Sequence, residues 1–330
     1  MNTFEELKKI REHNAKYQGC ISAGSVHTAG LKTDSSVVGA GSAVACYFTG
    51  WRDIIAISAG GADRLYHTIG LKADGTVISW GNNDYQQSSV SGWRDISAIS
   101  AGGKNSVGLK EDGTVVMTGE DSQYTLTKYW RDIIAISAGR TAIIGLMVDG
   151  TVVNSKKSDI TDGWHDIVAV SAGINHIVGL KKDGTVVAGG DNSHGQCNTD
   201  CWTDIIAVSA GGNNTVGLKA DGSVIFTGEN SYGQRGIDNW RDIVAISAGA
   251  KHTVGLHLNG TVSAVGDNWP DNKCDTANWK DIGPADRDDA RQRIEQSKQW
   301  EAQGLCRYCG GQIGGLISKK CKSCGKPKIL

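Results

Sequence analysis

The 330-residue chain predicts an all-β fold, a seven-bladed β-propeller, followed by a helical linker and a small cysteine-rich ribbon. Ser-Ala-Gly recurs seven times, at Ser22, Ser58, Ser100, Ser137, Ser171, Ser209 and Ser247. Trp-x-Asp-Ile also recurs seven times, at Trp51, Trp93, Trp130, Trp164, Trp202, Trp240 and Trp279. The tryptophans span 228 residues in six steps, a mean period of 38. Such a period belongs to repeat architectures, in which one unit cannot bury its own faces and must stack on its neighbours. The third observation is an Asp-Gly or Asn-Gly dipeptide at Asp74, Asp112, Asp149, Asp183, Asp221 and Asn259. It is the strongest short hairpin signal, and as a two-residue turn it needs positive φ at both central residues.

Residues 1–14 read as an N-terminal helix. Thr3 and Glu6 have capping-box spacing, and Phe4, Leu7 and Ile10 share one side. Ring closure brings the chain ends together, so this helix is expected near the closing blade. Residues 15–282 form the propeller. In each unit a strand covered on both faces (Ile54 to Ala59) leads to a second strand (252–258), a turn and a third strand (185–190). Thirty-eight residues hold about four short strands, as propeller blades do. A Gly-Leu pair precedes every turn, at Gly30, Gly70, Gly108, Gly145, Gly179, Gly217 and Gly255. Glycine inside a strand marks close backbone approach, here attributed to crowding near the central axis. The first unit has Asp34-Ser35 at its turn, which should turn less well. It also has Ala15 where the others have tryptophan, whereas Trp279 arrives with no Ser-Ala-Gly behind it. Residues 279–282 are therefore expected to complete the first blade.

Residues 283–304 read as a helical linker, with Pro284 at its start and Asp289/Arg293 and Arg291/Glu295 at i,i+4. Its apolar stripe is thin, Ala290 and Ile294 with Trp300, which predicts a mobile spacer. Residues 305–330 read as a zinc ribbon. Cys306, Cys309, Cys321 and Cys324 form two CxxC knuckles able to hold one structural Zn²⁺ tetrahedrally. With few apolar residues around them, metal binding should supply most of the folding free energy. Lys319, Lys320, Lys322, Lys326 and Lys328 make the ribbon basic, with Tyr308 nearby as an aromatic for stacking. A nucleic acid or an acidic partner is one reading of that charge, and an ordinary solvated surface is the other.

Composition narrows the classes further. A net charge of -1 with 21% charged residues excludes a globally charge-driven partner. Forty-five glycines with only three prolines point to tight turns rather than a disordered Pro/Gly polymer. The charged N-terminus carries no secretory signal and no segment reaches membrane-span length, so a cytoplasmic protein without membrane contact is expected. Nine cysteines, four of them in CxxC pairs, suit a reducing compartment.

The unit WxDIxAISAGxxHTVGLKxDGTV, with GDNSHGQC (190–197) and GENSYGQR (228–235), resembles the regulator of chromosome condensation repeats in their short bacterial form. The resemblance covers about residues 15–282 and implies a seven-bladed propeller. The functions it implies diverge: one relative is a nuclear guanine-nucleotide exchange factor that also binds chromatin, and another is a bacterial protein that inhibits β-lactamases. Fold alone does not choose between them.

His27, His67, His176 and His252 occupy one equivalent position in four units, with Asn105, Ala142 and Asn214 in the others. Four copies around a ring argue for a structural role, a side chain bonding backbone at a strand start. The repeat aspartates read as turn-fixing or strand-capping groups. His194, Cys197 and Cys201 lack a fourth metal ligand, and Cys197 and Cys274 mark a recurring position that suits a small buried hydrophobe. There is no nucleophile elbow, phosphate loop or zincin motif.

These readings predict a non-catalytic scaffold, monomeric in its propeller, that binds a protein partner and recruits a second one through the ribbon. The loops after Ser-Ala-Gly and after the third strand share one face and vary between units. Asp63, Arg64, Tyr66, Tyr85, Lys104, Tyr124, Arg140, His194, Tyr232 and Trp269 are its candidate contacts, rich in the types found at interface hot spots. The alternatives are a nucleic-acid-associated regulator using the ribbon, and guanine-nucleotide exchange as the resemblance implies.

Overall fold

The computed structural model describes residues 3–303, apart from 43–44, 63–64, 121–125 and 157–158, together with Leu305. Among the described residues, twenty-one strands, β1 (Ile21–Ala23) to β21 (Val262–Gly266), form seven three-stranded antiparallel meanders. Their first strands adjoin in the order β1, β4 (Ile54–Ala62), β7 (Ile96–Ala101), β10 (Ile133–Ala138), β13 (Ile167–Ala172), β16 (Ile205–Ala210) and β19 (Ile243–Ala248), and β19 returns to β1. This closed circle of blades fits the seven-bladed propeller. The expected fourth strand is not among the described strands. Polar side chains hold that stretch instead: Asn83 Oδ1 accepts the Ser88 N–H, and Gln87 Oε1 accepts the Tyr85 N–H.

Closure follows the sequence reading. In six blades the first strand shifts register after its first residue, as between Ile54 and Ala56. In the first blade the chain is interrupted near the equivalent place. Ile282 bridges Lys32, while β1 enters from the N-terminal side and pairs with β2 (His27–Leu31). Gly283 N–H also donates to the Leu31 carbonyl at 3.0 Å.

The in-strand glycines are explained by tryptophan rather than by axial crowding. A Cβ built on Gly30, Gly70, Gly108, Gly145, Gly179, Gly217 or Gly255 would come within 3.0 Å of the indole of the Trp that opens the same blade. For Gly30 that ring belongs to Trp279, so the same packing closes the first blade.

The seven aspartates of Trp-x-Asp all adopt left-handed backbone, with φ between 56° and 60°. Aspartate tolerates that region better than most side chains, which explains its repetition. The Asp-Gly turns differ from the two-residue type. Gly75 N–H donates to the Lys72 carbonyl and only Gly75 has positive φ, 77°, so Ala73 and Asp74 form a type I turn closed by a glycine bulge. In the first blade Ser35 takes the glycine's place with φ 66° and makes the same turn.

Both terminal helices dock on the hairpin end. Helix α1 (Phe4–Ala15) has the expected capping box at Thr3 and Glu6. It packs on the sixth blade, where Leu7 enters a cluster with Ile206, Leu218, Ile237 and Trp240, rather than near the closing blade. Arg11 Nη2 donates to the Lys182 carbonyl at 2.7 Å and fixes that position. Helix α2 (Arg287–Ala302) is no free spacer. Its thin stripe is sufficient because Ala290 and Ile294 bury against Ala73 and Ile55, and Arg293 bonds Asp53 and Ser35.

Candidate functional site

Opposite the hairpins, the Ser-Ala-Gly tripeptides build a closed belt. Each serine Oγ accepts the N–H of the alanine in the next blade at 2.8–3.0 Å, and Ser247 closes the circle on Ala23. The glycine completes the contact. A Cβ on any of the seven would fall within 3.1 Å of a carbonyl oxygen of the next blade's Ser-Ala-Gly glycine. The tripeptide is therefore an acceptor, a small spacer and a bare backbone, repeated because the ring demands all three at every joint.

Behind the belt lies a second ring of contacts. His27 Nε2 lies 2.6 Å from Thr68 Oγ1 in the next blade, His67 is 2.9 Å from Ser106, His176 is 3.0 Å from Thr215, and His252 is 2.9 Å from Thr28. The Thr28, Ser106 and Thr215 hydroxyls donate to backbone carbonyls, so the imidazole facing each of them carries its proton on Nε2. Burial pushes His27 and His252 down to about 3, and His67 and His176 down to about 4. These histidines are neutral ties between blades through hydroxyls of the neighbouring blade, and His67 and His176 also meet the backbone of Asn105 and Asn214. Where the next blade offers Ile143 or Ile177 instead of a hydroxyl, the position holds Asn105 or Ala142.

The belt surrounds an axial cavity of about 600 Å³. Among the sequence-predicted contacts, Arg140, Tyr232 and Trp269 line it, and Trp269 is 81% exposed. Tyr85 and Lys104 meet on the same face, with the ammonium 4.2 Å from the ring centroid, and Lys104 also reaches Glu120. Lys251, which sequence reasoning missed, lies 4.4 Å from the Tyr232 ring, and its hydrogen bond to Tyr232 raises its pKa. The Tyr85/Lys104 pair was its signal, because Lys104 and Lys251 hold equivalent positions in their blades. Tyr66 sits half-buried in β5 (Leu65–Lys72), and His194 is an exposed loop tip. Asp63, Arg64, Tyr124 and the four ribbon cysteines, Cys306, Cys309, Cys321 and Cys324, lie outside the described residues.

Gln87, Gln196 and Gln234 are buried beneath the loops that carry Tyr85, His194 and Tyr232, and each accepts the N–H two residues before it. The seventh blade substitutes Lys273, almost enclosed and 3.0 Å from Asp267. Cys197 and Cys274 follow this position, and burial pushes both thiols up to about 11. No group of three or more His, Cys, Asp or Glu suited to a metal ion occurs among the described residues. No helix among them is long and apolar enough to cross a membrane.

The regulator of chromosome condensation (RCC1) repeat model matches residues 65–87, 167–196, 205–234 and 243–268, in the second, fifth, sixth and seventh blades. No curated protein matches. The CRINKLY WD40 ectodomain of the Arabidopsis thaliana receptor kinase ACR4 is similar in structure, with a TM-score of 0.58 at 21% identity, over 77% of this chain and 99% of that one. Yeast RCC1 (Prp20) in complex with Kap60 gives 0.58 at 15% identity, over 90% and 95%. Prp20p from Saccharomyces cerevisiae, described with its binding to Gsp1p and histones, gives 0.56 at 15%, over 86% and 89%. The matched repeats and these folds together support an RCC1-type repeat propeller.

Proposed function

We propose that the protein is a non-catalytic binding scaffold whose Ser-Ala-Gly face engages a protein partner. The observation carrying this reading is the contrast on that face. A constant belt supports side chains that differ from blade to blade, with Arg140, Tyr232 and Trp269 around one cavity. The protein partners named for the yeast propellers, Kap60, Gsp1p and histones, support a protein partner in general. Alanine at Tyr66, Arg140 and Trp269 together should remove proteins captured by the wild type, and an unchanged set of captured proteins overturns the reading.

The CxxC spacing supports a structural Zn²⁺ held by Cys306, Cys309, Cys321 and Cys324 in a ribbon that recruits a second partner. Elemental analysis should find one zinc per chain, lost on Cys306→Ser with Cys324→Ser. A cytoplasmic setting belongs to the same reading, supported by the free thiols of Cys20, Cys46, Cys197, Cys201 and Cys274.

A further inference from the structure

The two terminal helices exploit one repeated feature of the hairpin end. Each docks on the second residue of a blade's first strand together with the residue before its turn aspartate: Ile55 and Ala73 for α2, Ile206 and Ala220 for α1. The Ala73 N–H donates to the Asp53 carbonyl at 3.1 Å, and the Ala220 N–H to the Asp204 carbonyl at 2.9 Å. Basic side chains complete both contacts. On α2, Arg293 bonds Asp53 and Lys298 lies 3.7 Å from Asp74, and on α1 Arg11 donates to the Lys182 carbonyl beside Asp183.

The fourth blade repeats this seat and leaves it open. Ile134 and Val148 hold the equivalent positions, the Val148 N–H donates to the Asp132 carbonyl at 3.0 Å, and the two side chains are 54% and 69% exposed. Val168 of the fifth blade, also exposed, adjoins them because the Ile167 N–H bonds the Gly150 carbonyl of the same turn. Among the described residues, no other blade has both positions apolar and both exposed.

The seat is acidic as well as apolar. Asp132 and Asp149, which match Asp53 and Asp74, are exposed, and among the described residues neither is held in an ion pair. Lysine precedes Asp74, Asp112, Asp183 and Asp221 by two residues, whereas Met147 stands at that place before Asp149. Arg131 is adjacent, but its Nη1 donates to the Lys128 and Trp130 carbonyls, and α2 bonds Asp53 beside the matching Arg52. On the fifth-blade side, Lys182 is paired with Asp166.

We propose that the hairpin end of the fourth blade is a docking seat for an amphipathic helix of a protein partner, which lays an isoleucine or leucine on Ile134 and Val148 and sets arginine or lysine against Asp132 and Asp149. Recognition of a helix in a groove reads apolar anchors at i and i+4, the spacing of Ala290 and Ile294 on α2. A second copy has no described helix to offer, because α1 and α2 are both docked on their own blades. The seat lies opposite the Ser-Ala-Gly face and takes a contact separate from the one proposed there.

The acetylated, amidated peptide of residues 286–303 is the probe, since α2 already fits the sister seat. Titrated into full-length protein carrying ¹³C-methyl isoleucine and valine, it should shift Ile134, Val148 and Val168 while Ile55 stays in place. Arg293→Glu with Lys298→Glu in the peptide, or Asp132→Asn with Asp149→Asn in the protein, should each weaken binding about fivefold, as loss of two exposed ion pairs does. Asparagine preserves the fold, because it tolerates the φ of 57° at Asp132 and already holds the equivalent turn at Asn259. Equal affinity after either pair of changes, shifts confined to Ile55 and Ile294, or no shift at all overturns the seat. Two further results overturn it by naming another occupant. One is a sedimentation mass that doubles as Ile134 broadens, which means a second copy, and the other is cross-relaxation from residues 304–330 to Ile134 in the free protein.

Discussion

The two ends of the propeller are stitched between blades with different chemistry. At the hairpin end, the Ile N–H of each blade donates to the carbonyl of the preceding blade's turn, at Ser35, Gly75, Gly113, Gly150, Gly184, Gly222 and Gly260, over 3.0–3.2 Å. These joints use backbone alone and require only that Asp, Gly or Ser35 adopt left-handed conformations. At the Ser-Ala-Gly end a serine side chain joins the backbone carbonyls as acceptor, and glycine is needed because the next blade's carbonyl leaves no room for a Cβ. The hairpin end carries α1 and α2, whereas the other end surrounds the axial cavity. Repetition of a motif inside one chain can therefore mark the joint, while the side chains that differ between blades stand around it.

Acid should distinguish the ends most strongly. The four inter-blade histidines have folded pKa values well below the ordinary 6.5, so the unfolded chain binds more protons below that pH. Their contribution is complete above about pH 6.5 and is lost as pH falls toward 4 and then 3. Each pKa unit is worth about 1.4 kcal/mol per group, so denaturation midpoints should fall steeply over this window. His67→Asn, the residue type already present at Asn105 and Asn214, should flatten the slope. An unchanged slope would contradict the buried neutral assignment.

Gly102→Ala comes next. Its Cβ would lie 2.5 Å from the Gly139 carbonyl oxygen, and overpacking against backbone should cost at least about 3 kcal/mol in chemical denaturation. At the covered end, Leu7→Ala removes a side chain that is 1% exposed and should cost about 2–3 kcal/mol. Ser209→Ala deletes one belt bond and leaves the Ala248 N–H without its acceptor, for about 1 kcal/mol. Smallest of all, Trp269→Ala on the open face should change stability by less than about 0.5 kcal/mol. A large loss there would mean that the variable face is part of the scaffold, and the contrast between the ends would fail.

Much of this was legible in residue spacing. Trp279 without a following Ser-Ala-Gly announced how the ring closes, and Thr3 with Glu6 announced α1. The docking of α2 was not legible, because Ala290 and Ile294 alone make a weak stripe, and their burial depends on Ala73, Ile55 and Asp53 being positioned by another blade. The fourth strand was overcounted because Asn83 and Gln87 replace ladder bonds with side-chain bonds that period-two patterning does not reveal. Four of the candidate contacts, Tyr85, Lys104, Tyr232 and Trp269, were named as separate residues. That Lys104 lies over Tyr85, and that Tyr232 shares a cavity with Arg140, depends on contacts between blades.

The sequence by itself determined the number of blades, the strand order within them and the way the ends join, because those follow from local repetition and turn chemistry. Only the tertiary structure decided what the repeats are for: the serine belt, the tryptophan under each glycine, the histidine ties and the cavity. The serine belt and the histidine ties depend on a partner about 40 residues away in the next blade, or at the opposite end of the chain, and local spacing carries no distance across that gap.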